Sequence, residues 1–257
     1  MNARAPAVFF GHGSPMNALG GPCVEEWRAL GARLPRPRAI LMVSAHWFVP
    51  ETAVTAMTRP RTIHDFYGFP QPLYEIAYPA PGDAALARRV QDLLAPLPVR
   101  ADAEWGLDHG AWAVLMHVYP EADIPVVQLS IDARQAGAFH FALGQRLKPL
   151  RDESVMIAGS GDIVHNLRMM NRAGGAAYDW AERFNDFVKD KIAARDFAPL
   201  IAFETLGEDA ARAIPTAEHF LPLLYVLGAM DEAERAAFFT DQIELGSVSM
   251  TGFVAGA

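Results

Sequence analysis

The sequence predicts a single α/β domain spanning residues 1–257, with a central, mainly parallel sheet flanked by helices. Three observations carry that expectation. Short continuous apolar runs recur along the chain, helical periodicities fall between them, and neither a linker nor an internal repeat divides the 257 residues. With 51% apolar residues the chain has the material for one large core. Folded domains of this length bury roughly three quarters of their unfolded surface.

The elements follow in order. Residues 7–10 (AVFF) and 39–44 (AILMVS) are apolar runs preceded by proline or Arg-Pro and followed by glycine or histidine turns, the pattern of buried strands. Residues 126–129 and 155–158 repeat it. Leu86, Val90, Leu93 and Leu94 mark one helical face after Asp83, and Trp180, Phe184, Phe187, Val188 and Ile192 mark another. Residues 58–82 form a long segment rich in proline and aromatic residues that follows neither period, and ordered loops of this length are usually functional. Residues 238–245 and 247–254 read as edge or hairpin strands joined at Gly246.

Composition excludes several function classes. Lys and Arg number 22 against 30 Asp and Glu, a formal net charge of −8, and no basic run could neutralise a phosphate backbone. Nucleic acid is therefore not an expected partner. The single cysteine, Cys23, rules out an internal disulfide and a thiolate cage, which leaves His, Asp and Glu as metal ligands. The most apolar stretch, residues 220–230, is interrupted by Pro222 and is well short of the ~20 residues a bilayer requires, so no membrane partner is expected. The N-terminal MNARAPAVFF lacks the length and cleavage pattern of a secretory signal, and the expected location is cytoplasmic.

The eight histidines are the informative feature. His12 follows AVFF in Gly11-His12-Gly13, His46 follows AILMVS, His165 comes soon after VMIA, and His109 stands just before a helical stretch. If the strands are parallel neighbours, these imidazoles converge on one rim, where α/β sheets gather ligands. A neutral imidazole is the commonest metal ligand, and a divalent ion with open positions needs about three protein ligands. Each histidine taken alone reads equally as a hydrogen-bonded turn residue; four such turns together favour a site. His117 and His140 fall inside helical patterns and read as packing residues. His64 either binds substrate or ties its loop to the body. In Pro215-Thr216-Ala217-Glu218-His219, Thr216 reads as a cap and Pro222 as a helix opener, and only one of Glu218 and His219 is expected to face a metal. Other signatures fail: Ser160 misses the G-x-S-x-G elbow, and neither H-E-x-x-H nor a phosphate-binding glycine loop occurs.

Eight segments, GHGSPMN, SAHW, TIHDFYGFP, YPAPG, LDHG, IPVVQLSID, GSGDIVHNL and PTAEHFLPLLYVLGA, resemble in this order the class III extradiol ring-cleavage dioxygenases of the DOPA 4,5-dioxygenase type. The resemblance covers nearly the whole chain. It implies a single α/β catalytic domain with a non-haem iron(II) site, zinc being found in the same position. It implies His12, His46 and His219 as metal ligands, His165 as an acid/base near enough to serve as a fourth ligand, and His109 as a second proton-transfer residue. Related class III enzymes use two His and one Glu; here Glu218 and His219 compete for the third place, and His219 is preferred.

The implied reaction joins a small aromatic diol and O2 and gives a muconic semialdehyde, in a monomer or small homo-oligomer. Three ligands leave one side of the ion open for both reactants, and proton delivery suits groups that titrate near neutrality. Phe66, Tyr67, Phe69 and Tyr74 are expected to cover the substrate ring. A zinc hydrolase on the same residues is the rival enzymatic reading, separated by O2 consumption. A non-catalytic metal-binding member of the fold is the other, and the presence of both His109 and His165 argues against it.

Overall fold

The computed structural model describes residues 4–256. Its first half alternates strands and helices: β1 Ala7–Gly11, α1 Val24–Arg33, β2 Ala39–Val49, β3 Ala53–Thr55, α2 Gln71–Tyr74, α3 Ala84–Leu94, β4 Arg100–Asp102 and α4 His109–Val118. β5 Val126–Asp132, α5 Gly137–Leu147 and β6 Val155–Gly161 follow. Helices then dominate, with α6 Asp179–Ala194, α7 Ala198–Ile201, α8 Glu208–Ala213 and α9 Leu221–Ala229. The chain closes with short strands β7 Ala236–Phe239, β8 Ile243–Glu244, β9 Val248–Ser249 and β10 Gly252–Ala255.

One eight-stranded sheet, in the order β4-β3-β5-β2-β6-β1-β10-β7, organises the molecule. Its centre, β5-β2-β6-β1, is parallel throughout, while β3 meets β5 and β10 meets β1 antiparallel. The central strands read as unbroken apolar runs because both faces are covered. Alternate side chains enter two cores. Phe9, Leu41, Leu129 and Ile157 meet α3, α5, α6 and α9, whereas Phe10, Met42, Val126 and Met156 meet α1 and α4. Asp83 and Asp108 cap α3 and α4 by accepting the Leu86 and Ala111 N–H groups at 2.9 and 3.2 Å.

The expected architecture is observed, with local differences. β2 does not stop at Ser44 but runs to Val49; a register shift between Val43 and Phe48 against β5 lets the strand bend past His46 without ending. The C-terminal runs are four short strands rather than two. Thr240 takes a left-handed φ of 49° and ends β7, so β7 and β10 join the main sheet while β8 and β9 form a separate ribbon about Gly246. Thr216 caps no helix: its hydroxyl donates to the Glu218 carboxylate at 2.7 Å. Among the described residues no helix is long and apolar enough to cross a membrane.

His117 and His140 are the packing residues their helical positions suggest. His117 pairs through Nε2 with the Asn17 carbonyl at 2.9 Å, and His140 pairs through Nδ1 with the Tyr225 hydroxyl at 2.9 Å. Burial lowers the His140 pKa to about 4. The unfolded chain protonates this ring near 6.5 while the fold holds it neutral, so its contribution to stability is complete above about pH 6.5 and fades as pH falls toward 4. Chemical denaturation between pH 7 and 5 should show a shallower loss of stability in His140→Asn than in the wild type; equal slopes would place the acid sensitivity elsewhere.

Candidate metal centre and active site

The parallel register builds the site. Gly11 of β1 lies beside Gly161 of β6, and Ser44 of β2 beside Ser160, so the residues just past these positions emerge side by side at the carboxyl ends of the strands. His12 and Asp162 are neighbours for this reason, and the Gly13 N–H donates to Asp162 Oδ1 at 3.1 Å. His219 arrives from the turn before α9, held by the Asp162 N–H donating to its carbonyl at 2.9 Å. That carbonyl lies 2.1 Å from where a Cβ on residue 161 would stand, so only glycine admits it. His109 opens α4, and His165 bridges to Val248 of β9.

Each imidazole is held from behind. His12 Nδ1 lies 3.0 Å from Ser160 Oγ, whose own proton goes to the Gly110 carbonyl at 2.5 Å. The hydroxyl therefore accepts from His12 Nδ1–H, and His12 Nε2 carries the lone pair. His46 Nδ1 stands 3.2 Å from Asp65 Oδ2, and the carboxylate charge there favours the proton on Nδ1, the same tautomer. Glu218 Oε1 is 3.3 Å from His219 Nδ1. Asp65 also accepts the His109 backbone N–H and Nδ1–H, both at 2.9 Å. Burial, reinforced by neighbouring imidazoles, holds His12 and His219 well below the ordinary histidine range and His46 at about 3, and burial lowers His165 to about 4. These four rings are neutral at pH 7 and offer lone pairs.

Those lone pairs meet. His12 Nε2 and His46 Nε2 are 3.0 Å apart, and in the tautomers just derived neither has a proton to give the other. Two nitrogens about 2.0–2.1 Å from one ion, at tetrahedral to octahedral angles, stand roughly 2.9–3.4 Å apart. The spacing fits a ligand pair. Ligand atoms of His12, His46 and His219 all lie within 4.8 Å of one another, so these three residues could hold one ion. His165 does not join that set; it stacks on His219 with ring centroids 3.4 Å apart and planes 11° from parallel, and groups with Asp162 and His219 instead. His46, Asp65 and His109 form a third close set, in which the carboxylate accepts the His109 Nδ1–H and lies 3.2 Å from His46 Nδ1. Asp162 Oδ2, fully buried and 3.9 Å from His12 Nε2, has no hydrogen-bond partner, a third acceptor on the side where a cation would stand.

A cavity of about 370 Å³ opens onto these rings, with His12, His46, His109, His165 and His219 all in its wall. Phe66 and Phe69 line it as expected. Tyr67 and Tyr74 do not: Tyr67 is 92% exposed, and the Tyr74 hydroxyl accepts the Phe69 N–H at 3.4 Å, which braces the loop from within. His64 ties the loop, pairing with the Ile76 carbonyl at 3.0 Å and packing against Trp112. Glu218 stays behind His219 and outside the cavity wall. Sequence reasoning missed Asp65, although it adjoins His64 in TIHDFYGFP. It also missed Ser160 as the partner of His12, and the lining residues Arg172 and Glu244.

Fold and site together define an α/β protein whose strand-end histidines can hold a metal beside a cavity sized for a small aromatic molecule. Residues 15–253 match the family model of the catalytic LigB subunit of aromatic ring-opening dioxygenase. The chain is 51% identical over 255 residues to a 4,5-DOPA dioxygenase extradiol of Escherichia coli K12, covering 97% of this chain and 94% of that one. A 4,5-DOPA dioxygenase extradiol of Beta vulgaris is 38% identical over 94% of this chain and 92% of its own. The crystal structure of an uncharacterized Escherichia coli K12 protein superposes with a TM-score of 0.86 at 46% identity, covering 98% of this chain and 99% of that one. The chain belongs to the LigB family of aromatic ring-opening dioxygenases, and it is an extradiol ring-cleaving enzyme whose family implies a metal cofactor.

Asp65 orients both His46 and His109. Replacing it with Asn removes the charge and should weaken metal binding about 10- to 100-fold, as loss of partners behind ligating histidines does. Chelator competition on Asp65→Asn measures this, and an unchanged affinity would show that the carboxylate only ties down its loop.

Proposed function

We propose that the protein opens the ring of a catechol of the DOPA type, placing both atoms of O2 in the product and yielding a muconic semialdehyde. The observation that carries this reading is the facing pair of unprotonated nitrogens on His12 and His46, with His219 beside them, on the wall of a cavity of about 370 Å³. The names of the relatives, 4,5-DOPA dioxygenases, support the substrate class.

His12, His46 and His219 would hold the ion and leave its remaining positions to the reactants, the third place going to His219 because Glu218 sits behind that ring. Iron(II) bound there supplies an electron path from ring to O2, which zinc, without an accessible redox change, does not. Asp65 fixes His109 through Nδ1–H and leaves Nε2 as the ring nitrogen that can take a proton from a substrate hydroxyl. His165, neutral and in the cavity wall, can accept the second hydroxyl proton and return it to the oxygen that departs when the O–O bond breaks. Its stacking on His219, outside the set formed with His12 and His46, favours this proton role over a place as fourth ligand. Phe66 and Phe69 present aromatic surface that packs on the substrate ring and keeps water away.

Protein reconstituted anaerobically with iron(II) should consume O2 and form a yellow product with a catechol, while rigorously iron-free zinc protein should bind catechol and consume none. Equal uptake by the zinc form would exclude this chemistry. A positioned acid/base contributes about 10² to 10⁴ in rate, so His165→Gln should lose kcat on that scale while keeping its metal. A folded variant within a few-fold of wild type would move the proton chemistry elsewhere, with His109 next in line.

A further inference from the structure

Among the described residues, the charged groups in the cavity wall apart from the histidines are Arg172 and Glu244. The surface between is largely apolar, supplied by Leu167, Met170, Leu245 and Val248. Glu244 is half-buried, and its Oε1 is out of solvent with no hydrogen-bond partner. A carboxylate drawn partly out of water without a cation or donor is unfavourable, and burial raises its pKa accordingly. Asp162 Oδ2, at the same rim, is likewise without a hydrogen-bond partner. Arg172, by contrast, is exposed where it lines the cavity.

These groups stand on a braced frame. Glu244 ends β8, and the Ser247 N–H donates to its carbonyl at 3.1 Å across the turn made by Leu245 and Gly246, both at positive φ. The Asn171 N–H donates to the Leu245 carbonyl at 2.8 Å and the Tyr178 N–H to the Gly246 carbonyl at 3.0 Å. The segment carrying Arg172 is thereby stitched to the turn carrying Glu244. A preorganised carboxylate and a guanidinium on one apolar wall complement a ligand tail that bears a cation and an anion.

We propose that Glu244 is a specificity-determining residue that receives the ammonium of an amine-bearing catechol, and that Arg172 receives a carboxylate on the same side chain. The assignment rests on the ring-opening reading above and adds to it the groups that read the substrate's tail. The diol end goes to the histidines and the tail runs along the Leu167 and Val248 wall toward Glu244.

Four catechols separate the contributions: DOPA, with ammonium and carboxylate; dopamine, with ammonium alone; 3,4-dihydroxyphenylpropionate, with carboxylate alone; and 4-methylcatechol, with neither. In the iron-loaded wild type, kcat/KM for dopamine should exceed that for 4-methylcatechol by about 10- to 100-fold, the range of a hydrogen bond to a charged group. Glu244→Gln should bring that ratio near one. Arg172→Gln should erase the advantage of DOPA over dopamine while the dopamine ratio stays. Dissociation constants measured anaerobically give the same ratios without turnover. If no catechol is opened, the ring-opening reading fails, yet the subsite is still judged on the binding ratios. A ratio near one in the wild type, or one that Glu244→Gln leaves unchanged, overturns the proposal. So does a uniform fall for all four compounds, which would mark Glu244 as structural.

Discussion

Two imidazole lone pairs facing each other at 3.0 Å, in a place where burial keeps both rings neutral, are the constraint on which the site depends. His12 donates its Nδ1–H to Ser160, and the Asp65 carboxylate 3.2 Å away favours the His46 proton on Nδ1, so the two Nε2 atoms face each other as acceptors. Buried acceptors without donors are costly, and a divalent cation relieves this cost for both nitrogens at once. The unpartnered oxygen of Asp162 adds a third acceptor to the same region. The apparent defect becomes a binding site when an ion takes the place of the missing protons.

The fold delivers these groups from segments far apart in sequence. Parallel pairing of β1, β6 and β2 sets His12, Asp162 and His46 at one rim, and the close approach of the His219 carbonyl to Gly161 brings the turn before α9 against them. α4 contributes twice at its first turn, since His109 faces the cavity and the Gly110 carbonyl receives the Ser160 proton that sets the His12 tautomer. Asp108 holds that turn by accepting from Ala111 N–H, Ser44 Oγ and Gln128 Nε2. A change at Ser44 or Gln128, neither of which touches the cavity, would therefore be felt at His109. Asp65 crosses from the long loop to hold His46 and His109 together, so the order of that loop and the order of the metal site are one property.

What the sequence made legible and what it hid differ by range. Buried parallel strands write themselves as local apolar runs, and histidines placed directly after them announce a rim, so the sheet and the convergence of His12 and His46 could be read without coordinates, whereas His219 was singled out from Glu218 only through the family resemblance. His117 and His140 could be set aside because helical periodicity is also local. Asp65 stayed hidden because its value lies in a contact with a residue 44 positions away, in a segment without periodicity. Ser160, weighed as a nucleophile and rejected, proved to matter as the acceptor for His12 Nδ1–H, a role no motif encodes. β2 ran past its expected end because a register shift, invisible in composition, let the strand bend beyond Val43. Of the four loop aromatics only Phe66 and Phe69 reached the cavity, since which ring turns inward is decided by the loop's tertiary path.

In the proposed site one ion is held by His12, His46 and His219, with Asp65 and Glu218 behind the rings and His165 outside the set. Anomalous diffraction at the zinc edge from crystals of the zinc-loaded protein tests it most directly. One peak is expected at about 2.0–2.1 Å from a ring nitrogen of each of the three histidines, on the side away from Ser160 and Asp65. A peak bound instead by Glu218, or by Asp65 with His109, would contradict it.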